Sequence, residues 1–254
     1  MSSLTYHVDL IRHLTWRDFI LRYKGSVLGI LWSVVPPLVQ LAVLVFLFGK
    51  VIPLGIEGYP AFVFSGLLPW IWFSTCMSSA GYLFINNRDL VRRPNFEPSS
   101  LVTANTLSNL IHFLLFLPIL LVLLIVYGRQ VTMSLVFLPT LMIIQVMLTI
   151  GLGLMIATMN AFYHDVQHIV SVAVTLLFYL TPVFYRAQSI PDRYQFVYSL
   201  NPIAVLIRSY RAIFFYGSNP EWGSLLVTGL ISVLIFGIGY FVYRRQISNV
   251  MDVV

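Results

Sequence analysis

Six long stretches of the chain contain no Asp, Glu, Lys or Arg, and this spacing of charge restricts the fold more than any other feature. They hold 20 to 35 residues each and cover 25–49, 58–87, 98–128, 130–164, 166–185 and 222–243. A helix needs about 20 apolar residues to cross the roughly 30 Å hydrocarbon core of a bilayer. The pattern predicts an all-α integral membrane protein with six transmembrane helices.

The composition agrees with a membrane protein. Hydrophobic residues make up 59% of the chain and charged residues 9%, whereas soluble domains carry about 25% charged residues. A β-barrel is disfavoured because its strands would alternate polar and apolar residues over segments of about ten residues. The first 24 residues hold six charges and no apolar signal-peptide core, so cleavage is not expected. Cys76 is the single cysteine, which excludes an intrachain disulfide.

The net charge of +6 does not call for a nucleic-acid partner, because membrane proteins concentrate Lys and Arg at their cytoplasmic ends. An even number of spans puts both termini on one side. If that side is the cytoplasm, nine Lys and Arg residues lie inside and six outside. We predict a multi-pass protein of the cytoplasmic (inner) membrane with both termini cytoplasmic.

The chain is predicted to form a single transmembrane domain over residues 1–254. An N-terminal interface helix (1–24) precedes spans at 25–52, 60–86, 99–127, 132–161, 166–185 and 223–243. Leu4, Val8, Ile11 and Leu14 repeat at helical spacing and predict an amphipathic helix lying on membrane lipids. An ordinary solvated leader is the alternative.

The charged loop, residues 87–98, reads NRDLVRRPNFEP. Its charged residues are Arg88, Asp89, Arg92, Arg93 and Glu97. Topological anchoring explains its arginines, but not its two acidic residues or the apolar Phe96 among them. This mixture indicates a surface that docks another protein, with Phe96 as an apolar contact.

The hairpin segment, residues 186–221, is the longest connection and is too apolar for a solvated loop. Asn201 reads as a helix N-cap followed by Pro202 at the first helical position, and Gly217 as the C-terminal stop. The intervening helix of about 15 residues spans about 22 Å, too short to cross a bilayer.

A second short helix is predicted over 191–200. Arg208 and Arg211 also oppose membrane crossing of the helix after Asn201. The two short helices favour a re-entrant or interfacial hairpin on the outer side. A loop resting on the lipid headgroups is the alternative.

Several catalytic and cofactor motifs are missing. Gly49-Lys50 is the only Gly-Lys pair, and it lacks the remaining P-loop residues, so no nucleotide site is expected in this chain. His164 and His168 have metal-ligand spacing, but an interfacial cap is the favoured interpretation and no metal is expected. No acidic residue lies inside a charge-free run, which disfavours a proton relay.

Three stretches together carry a family resemblance. They are RDFILRYKGSVLGILWSVVPPL (17–38), FYHDVQHIVSVAVTLLFYLTPVFY (162–185) and SLNPIAVLIRSYRAIFF (199–215). In this order they resemble the permease subunits of polysaccharide ABC exporters, which transport O-antigen, capsule and teichoic acid. The resemblance covers essentially the whole chain.

The resemblance implies a homodimer working with two cytoplasmic ATPase subunits, which carry the ATP and Mg²⁺, and a lipid-linked polysaccharide as substrate. This chain would be a transport subunit and not an enzyme. The residues implied in ATPase coupling are Arg88, Asp89, Arg92, Arg93, Phe96 and Glu97. The implied channel-lining aromatics are Trp32, Phe178, Tyr179, Phe184 and Tyr185. The implied outer-gate residues are Asn201, Pro202, Arg208 and Arg211. The interface helix and span-1 entry carry Arg17, Asp18, Arg22 and Lys24.

Two positions depart from the family pattern. The coupling loop has Phe96-Glu97-Pro98 in place of a Phe-Pro pair, and His164 replaces the arginine of a Tyr-Arg-Asp run. The alternative functions are an exporter of smaller lipids or drugs, a membrane-embedded transferase, and a scaffold without a transport role.

Overall fold

A computed structural model describes residues 3–21, 31–130 and 132–253 of the chain. Every regular element in these ranges is helical, and they contain no β-strand, which confirms the predicted all-α membrane fold. Arg22 and Lys24 of the predicted span-1 entry lie outside the described residues.

The first half of the chain forms α1 (Ser3–Leu21), α2 (Leu31–Phe46, continued by a π-helical turn Leu47–Val51), α3 (Tyr59–Ala80), α4 (Tyr82–Asn86) and α5 (Arg88–Val91). The second half forms α6 (Ser99–Val126), α7 (Leu138–Phe162, preceded by a 3-10 turn Met133–Phe137), α8 (Asp165–Leu180), α9 (Asp192–Leu200), α10 (Pro202–Arg211, continued by a π-helical turn Ala212–Tyr216) and α11 (Trp222–Val253).

Five of the described helices are long and apolar enough to cross a membrane: α2, α3, α6, α7 and α11 with their extensions. The sixth predicted span corresponds to α8, whose 16 residues make a helix of about 24 Å. This is shorter than the roughly 30 Å bilayer core. The crossing by α8 therefore remains a prediction.

The helix α3 is the centre of the bundle. Sixteen of its 22 residues are buried, and α2, α6, α7, α8 and α10 all pack against it. Its sequence is apolar on every face, as expected for a helix surrounded by other helices. Phe62, Phe64 and Trp72 are almost completely inaccessible to solvent and form ring contacts with Phe215, Phe116 and Phe113.

The helix α1 packs on α6 through one face. Leu14, Thr15 and Phe19 are buried on this face, and Phe19 contacts His112. Val8, one of the residues predicted to lie on membrane lipid, is 58% exposed. Its contact with lipid remains a prediction.

Long-range hydrogen bonds show which loops lie at each end of the bundle. At one end, the charged loop contacts both terminal helices, since Arg17 Nη2 donates to Asn87 Oδ1 and Tyr243 Oη donates to Glu97 Oε1. At the other end, Thr132 Oγ1 of the loop before α7 donates to the Gly217 carbonyl of the hairpin segment. Charged loop and hairpin segment thus lie at opposite ends.

The hairpin segment has the predicted local structure. The Asn201 side chain caps α10 by accepting hydrogen bonds from the backbone N–H groups of Ile203 and Ala204, and Pro202 occupies the first turn. Gly217 ends the helix with φ of +61°, a left-handed conformation that favours glycine.

The helices α7 and α11 cross with their backbones in contact at Gly151 and Gly239. A Cβ atom added to Gly151 would lie 2.6 Å from the Cα of Phe236. The absence of side chains at this crossing permits the close approach, as in other small-residue helix pairs.

Gly151→Ala is expected to lower stability by about 1–3 kcal/mol through overpacking, measured as a lower unfolding temperature in detergent. Gly237→Ala in α11 is the matched control, because nothing lies within 4 Å of its added Cβ and alanine favours the helix by about 1 kcal/mol. Equal unfolding temperatures of the two variants would contradict the close crossing.

Candidate functional site

The charged loop exposes most of its charges. The side chains of Arg88, Asp89, Arg92 and Arg93 are exposed on and after the single turn α5. On the opposite side of this turn, Val91 is buried in the apolar cluster formed by the ends of α6, α7 and α11. The loop therefore has an apolar underside and a charged outer surface.

Two predicted docking residues lie elsewhere than expected. The ring of Phe96 is half-buried and packs against the same apolar cluster, so it is not an apolar knob on the outer surface. The carboxylate of Glu97 accepts hydrogen bonds from Tyr243 (2.8 Å) and Ser99 (3.3 Å) and lies 3.9 Å from Arg244. Glu97 is thus bonded to α6 and α11, and the part of Phe96 and Glu97 in docking a partner protein remains a prediction.

The connection between α3 and α4 is a helix break whose backbone groups are bonded by amide side chains. The Oε1 atom of Gln167 accepts from the Gly81 N–H at 2.7 Å, and Asn160 Nδ2 donates to the Gly81 carbonyl at 2.9 Å. Gln167 Nε2 also donates to the carbonyls of Ser78 (3.0 Å) and Met77 (3.3 Å). The start of α8 is thereby bonded to the end of α3, next to the charged loop.

A polar stripe runs along the exposed face of α8. Ser171, Thr175 and Tyr179 follow Gln167 at intervals of four residues, which places them on one side of a helix. All three are exposed, Tyr179 to 62%. The hydroxyls of Ser171 and Thr175 donate to backbone carbonyls one turn earlier. The stripe lies beside the exposed apolar side chains of α8, which are Ile169, Val172, Leu176 and Leu180.

Four of the five predicted channel aromatics form one cluster at the end of α8. Phe178, Tyr179, Phe184 and Tyr185 are linked by ring contacts with centroid separations of 5.0 to 6.4 Å. Trp32 is 54% exposed on α2, and the ring contacts of the described residues do not join it to this cluster.

The chain after α8 is held by side chains from α3 and α10. Arg211 Nη1 and Nη2 donate to the carbonyls of Pro182 (2.9 Å) and Val183 (2.6 Å). The hydroxyl of Tyr59, at the start of α3, donates to the Phe184 carbonyl at 2.9 Å. Both ends of α8 are therefore bonded to the central helix or to the hairpin segment.

Arg211 is an unusual buried cation. Its exposure is 3%, its guanidinium lies 3.8 Å from the ring centroid of Phe62, and Gly66 makes room for it in α3. Burial lowers the pKa of Arg211 to about 10, so the side chain is protonated at neutral pH. Arg208, one turn earlier, is half-exposed and lies 3.6 Å from Glu221.

His164 and His168 lie at the junction of α7 and α8. Among the described residues, no three His, Cys, Asp or Glu side chains lie close enough together to hold a metal ion. His164 is the residue preceding α8, and its side chain makes no capping hydrogen bond.

The sequence interpretation missed Gln167, Asn160, Tyr243 and the backbone partners of Arg211. The first two carried a usable signal, because each is an amide inside a charge-free apolar run. Amides buried in membrane proteins are expected to bond backbone or neighbouring side chains. The partners themselves lie 79 and 86 residues away along the chain and follow only from the tertiary structure.

Comparison with known proteins identifies one matching family and several similar proteins. Residues 9–215 match the family described as ABC-2 type transporter. The chain is 37% identical to the O-antigen export system permease protein RfbA of Myxococcus xanthus, over 92% of this chain and 91% of that protein. It is 34% identical to an RfbA of Klebsiella pneumoniae over 94% and 93%. It is 24% identical to the polysialic acid transport protein KpsM of Escherichia coli over 91% and 90%.

Gln167→Met is expected to destabilise the protein by about 2–4 kcal/mol, because it leaves the buried Gly81 N–H and the Ser78 carbonyl without a side-chain partner. The measurement is the unfolding temperature in detergent. Ser171→Ala, one turn further along the exposed face, is the control and is expected to stay near the parent value. A Gln167→Met protein as stable as this control would show that the amide network is dispensable.

Proposed function

The chain belongs to the ABC-2 type transporter family, and we propose that it is the permease subunit of an ATP-driven exporter of lipid-linked polysaccharide. The observation that supports this proposal most strongly is the 34–37% identity to O-antigen export permeases over more than nine-tenths of both chains. A multi-pass helical bundle with a hydroxyl-rich and aromatic α8 face agrees with a transported glycan.

The charged loop is proposed to dock a separate ATPase subunit. Its exposed arginines and Asp89 form the docking surface, while Val91 and Phe96 attach the loop to the bundle. Movement of the loop would be transmitted to α8 through the hydrogen bond of 2.7 Å that the Gly81 N–H donates to Gln167 Oε1. ATP and Mg²⁺ would bind to the ATPase subunits, because this chain carries no P-loop.

The channel is proposed to form between two copies of this chain. The outward faces of α2 and α8 are exposed, with Trp32 on the first and Tyr179 on the second. Two such faces brought together would enclose a path lined by the Ser171–Thr175–Tyr179 stripe. Such a path suits sugars, since sugar rings stack on aromatic side chains. The hydroxyl oxygens of Ser171 and Thr175, whose protons are donated to backbone carbonyls, can accept hydrogen bonds from sugar hydroxyls.

The orientation proposed for the chain follows the location of its charges. The charged loop and both terminal helices lie at the same end of the bundle, which we assign to the cytoplasmic side of the inner membrane. The hairpin segment, which lies at the opposite end of the bundle, is then assigned to the outer surface.

The double variant Arg92→Glu and Arg93→Glu tests the proposal. It reverses two exposed charges of the docking surface, so the copurified ATPase subunit, the stimulation of ATP hydrolysis and the amount of surface polysaccharide are all expected to fall by at least tenfold. This corresponds to a loss of about 1.4 kcal/mol or more in docking. Arg245→Glu, exposed at the same end but outside the charged loop, is the control.

Full complex formation and export by the double variant would overturn the docking surface. Export of a small lipid by the parent complex, together with unchanged surface polysaccharide when the double variant has lost complex formation, would instead overturn the polysaccharide substrate.

A further inference from the structure

A cleft lined by several charged side chains lies at the end of the bundle that holds the hairpin segment, and it is separate from the α8 stripe. It consists of two adjoining cavities of about 230 and 380 Å³, located between α10, the start of α11 and residues 186–188. Gln188, Arg208, Glu221 and Ser224 line both cavities. The cleft is therefore continuous and open to the surface.

The side chains that line this cleft carry more positive than negative charge. Arg186, Arg208 and Arg211 line the smaller cavity together with one acidic residue, Glu221, so three arginines and one carboxylate contribute to its formal charge. Glu221 is already 3.6 Å from Arg208. The cleft has a net charge of +2 without a ligand.

The environment of Arg211 is the main observation in favour of a negatively charged ligand. It is 3% exposed, and among the described residues no carboxylate forms an ion pair with it. Its Nη atoms bond carbonyl groups, but its Nε–H has no hydrogen-bond partner. A buried cation without a counter-ion is costly, and an anion in the cleft would supply the missing charge.

The donor groups favour a phosphate over a neutral sugar. Arginine presents a planar fork of N–H groups that matches phosphate oxygens, and the amides of Gln188 and Asn219 and the hydroxyl of Ser224 add neutral donors. Tyr216 is the single aromatic residue along the smaller cavity, so stacking on sugar rings has little surface there.

We infer that this cleft binds a phosphate group attached to a membrane lipid, at the outer end of the bundle. The inference rests on the proposed function where the phosphate belongs to the carrier of a lipid-linked glycan. The second source of the same chemistry is the headgroup of a bilayer phospholipid. In both cases the arginines hold the phosphate near the surface while the chain attached to it stays in the membrane.

The test is calorimetric titration of the full chain in dodecyl maltoside, a detergent without phosphate, with inorganic pyrophosphate and with farnesyl diphosphate. Arg208→Gln is expected to weaken binding of both probes by about tenfold or more, because it removes a charge-assisted hydrogen bond. Glu221→Gln is expected to tighten binding, because it removes the competing carboxylate. Arg193→Gln is the control, since Arg193 is exposed on the hairpin segment and does not line the cleft.

Arg211→Gln removes a structural clamp and is used only alongside Arg208→Gln. Nanodiscs containing phosphatidylglycerol separate the two sources. If phosphatidylglycerol competes with pyrophosphate for the cleft, the natural ligand is a phospholipid headgroup. If phosphatidylglycerol does not compete and farnesyl diphosphate binds more tightly than pyrophosphate, the natural ligand is an isoprenoid carrier. Either result supports a phosphate site.

No binding of either probe, or equal affinities of the Arg208→Gln and Arg193→Gln proteins, would overturn the inference. Such a result leaves the proposed function intact if the chain still exports polysaccharide with its ATPase partner. Conversely, phosphate binding by a chain that supports no export would refute the proposed function and leave the cleft assignment standing.

Discussion

A helix that breaks inside a membrane protein frees backbone N–H and C=O groups, and the surrounding protein must bond them because lipid cannot. Such breaks occur at Gly81 and after α8. Gln167 and Asn160 satisfy the first, whereas Arg211 and Tyr59 satisfy the second. The side chains that meet this requirement also determine which helices are attached to one another.

The consequence is that α8 is fastened at both ends while its outer face stays exposed. Its start is bonded to the end of α3, and the chain after it is bonded to the start of α3 and to α10. The charged loop directly follows the first attachment, and the hairpin segment contains the second. Under the proposed function, a displacement of the loop would be transmitted along α3 and α8 towards the opposite end, while α7 and α11 form a closely packed pair.

The sequence predicted those parts of the fold that depend on local physics. Charge-free runs predicted the helices, and Asn201, Pro202 and Gly217 predicted the limits of one short helix, because capping involves residues only a few positions apart. The inward position of Phe96 and the carbonyl partners of Arg211 were not predictable in this way. Both depend on elements that are distant in sequence and adjacent only after packing.

The most direct test of this transmission measures the accessibility of the α8 face. Cys76 is the only cysteine, so Tyr179→Cys in a Cys76→Ser background gives one reporter thiol. In the complex with its ATPase, we expect reaction with a membrane-impermeant maleimide to differ between the ATP-bound and ADP-bound states, and this difference to disappear in the Gln167→Met variant. A nucleotide-dependent rate that persists unchanged in Gln167→Met would contradict transmission through Gly81, and a Tyr179→Cys thiol unreactive in both states would contradict the channel face.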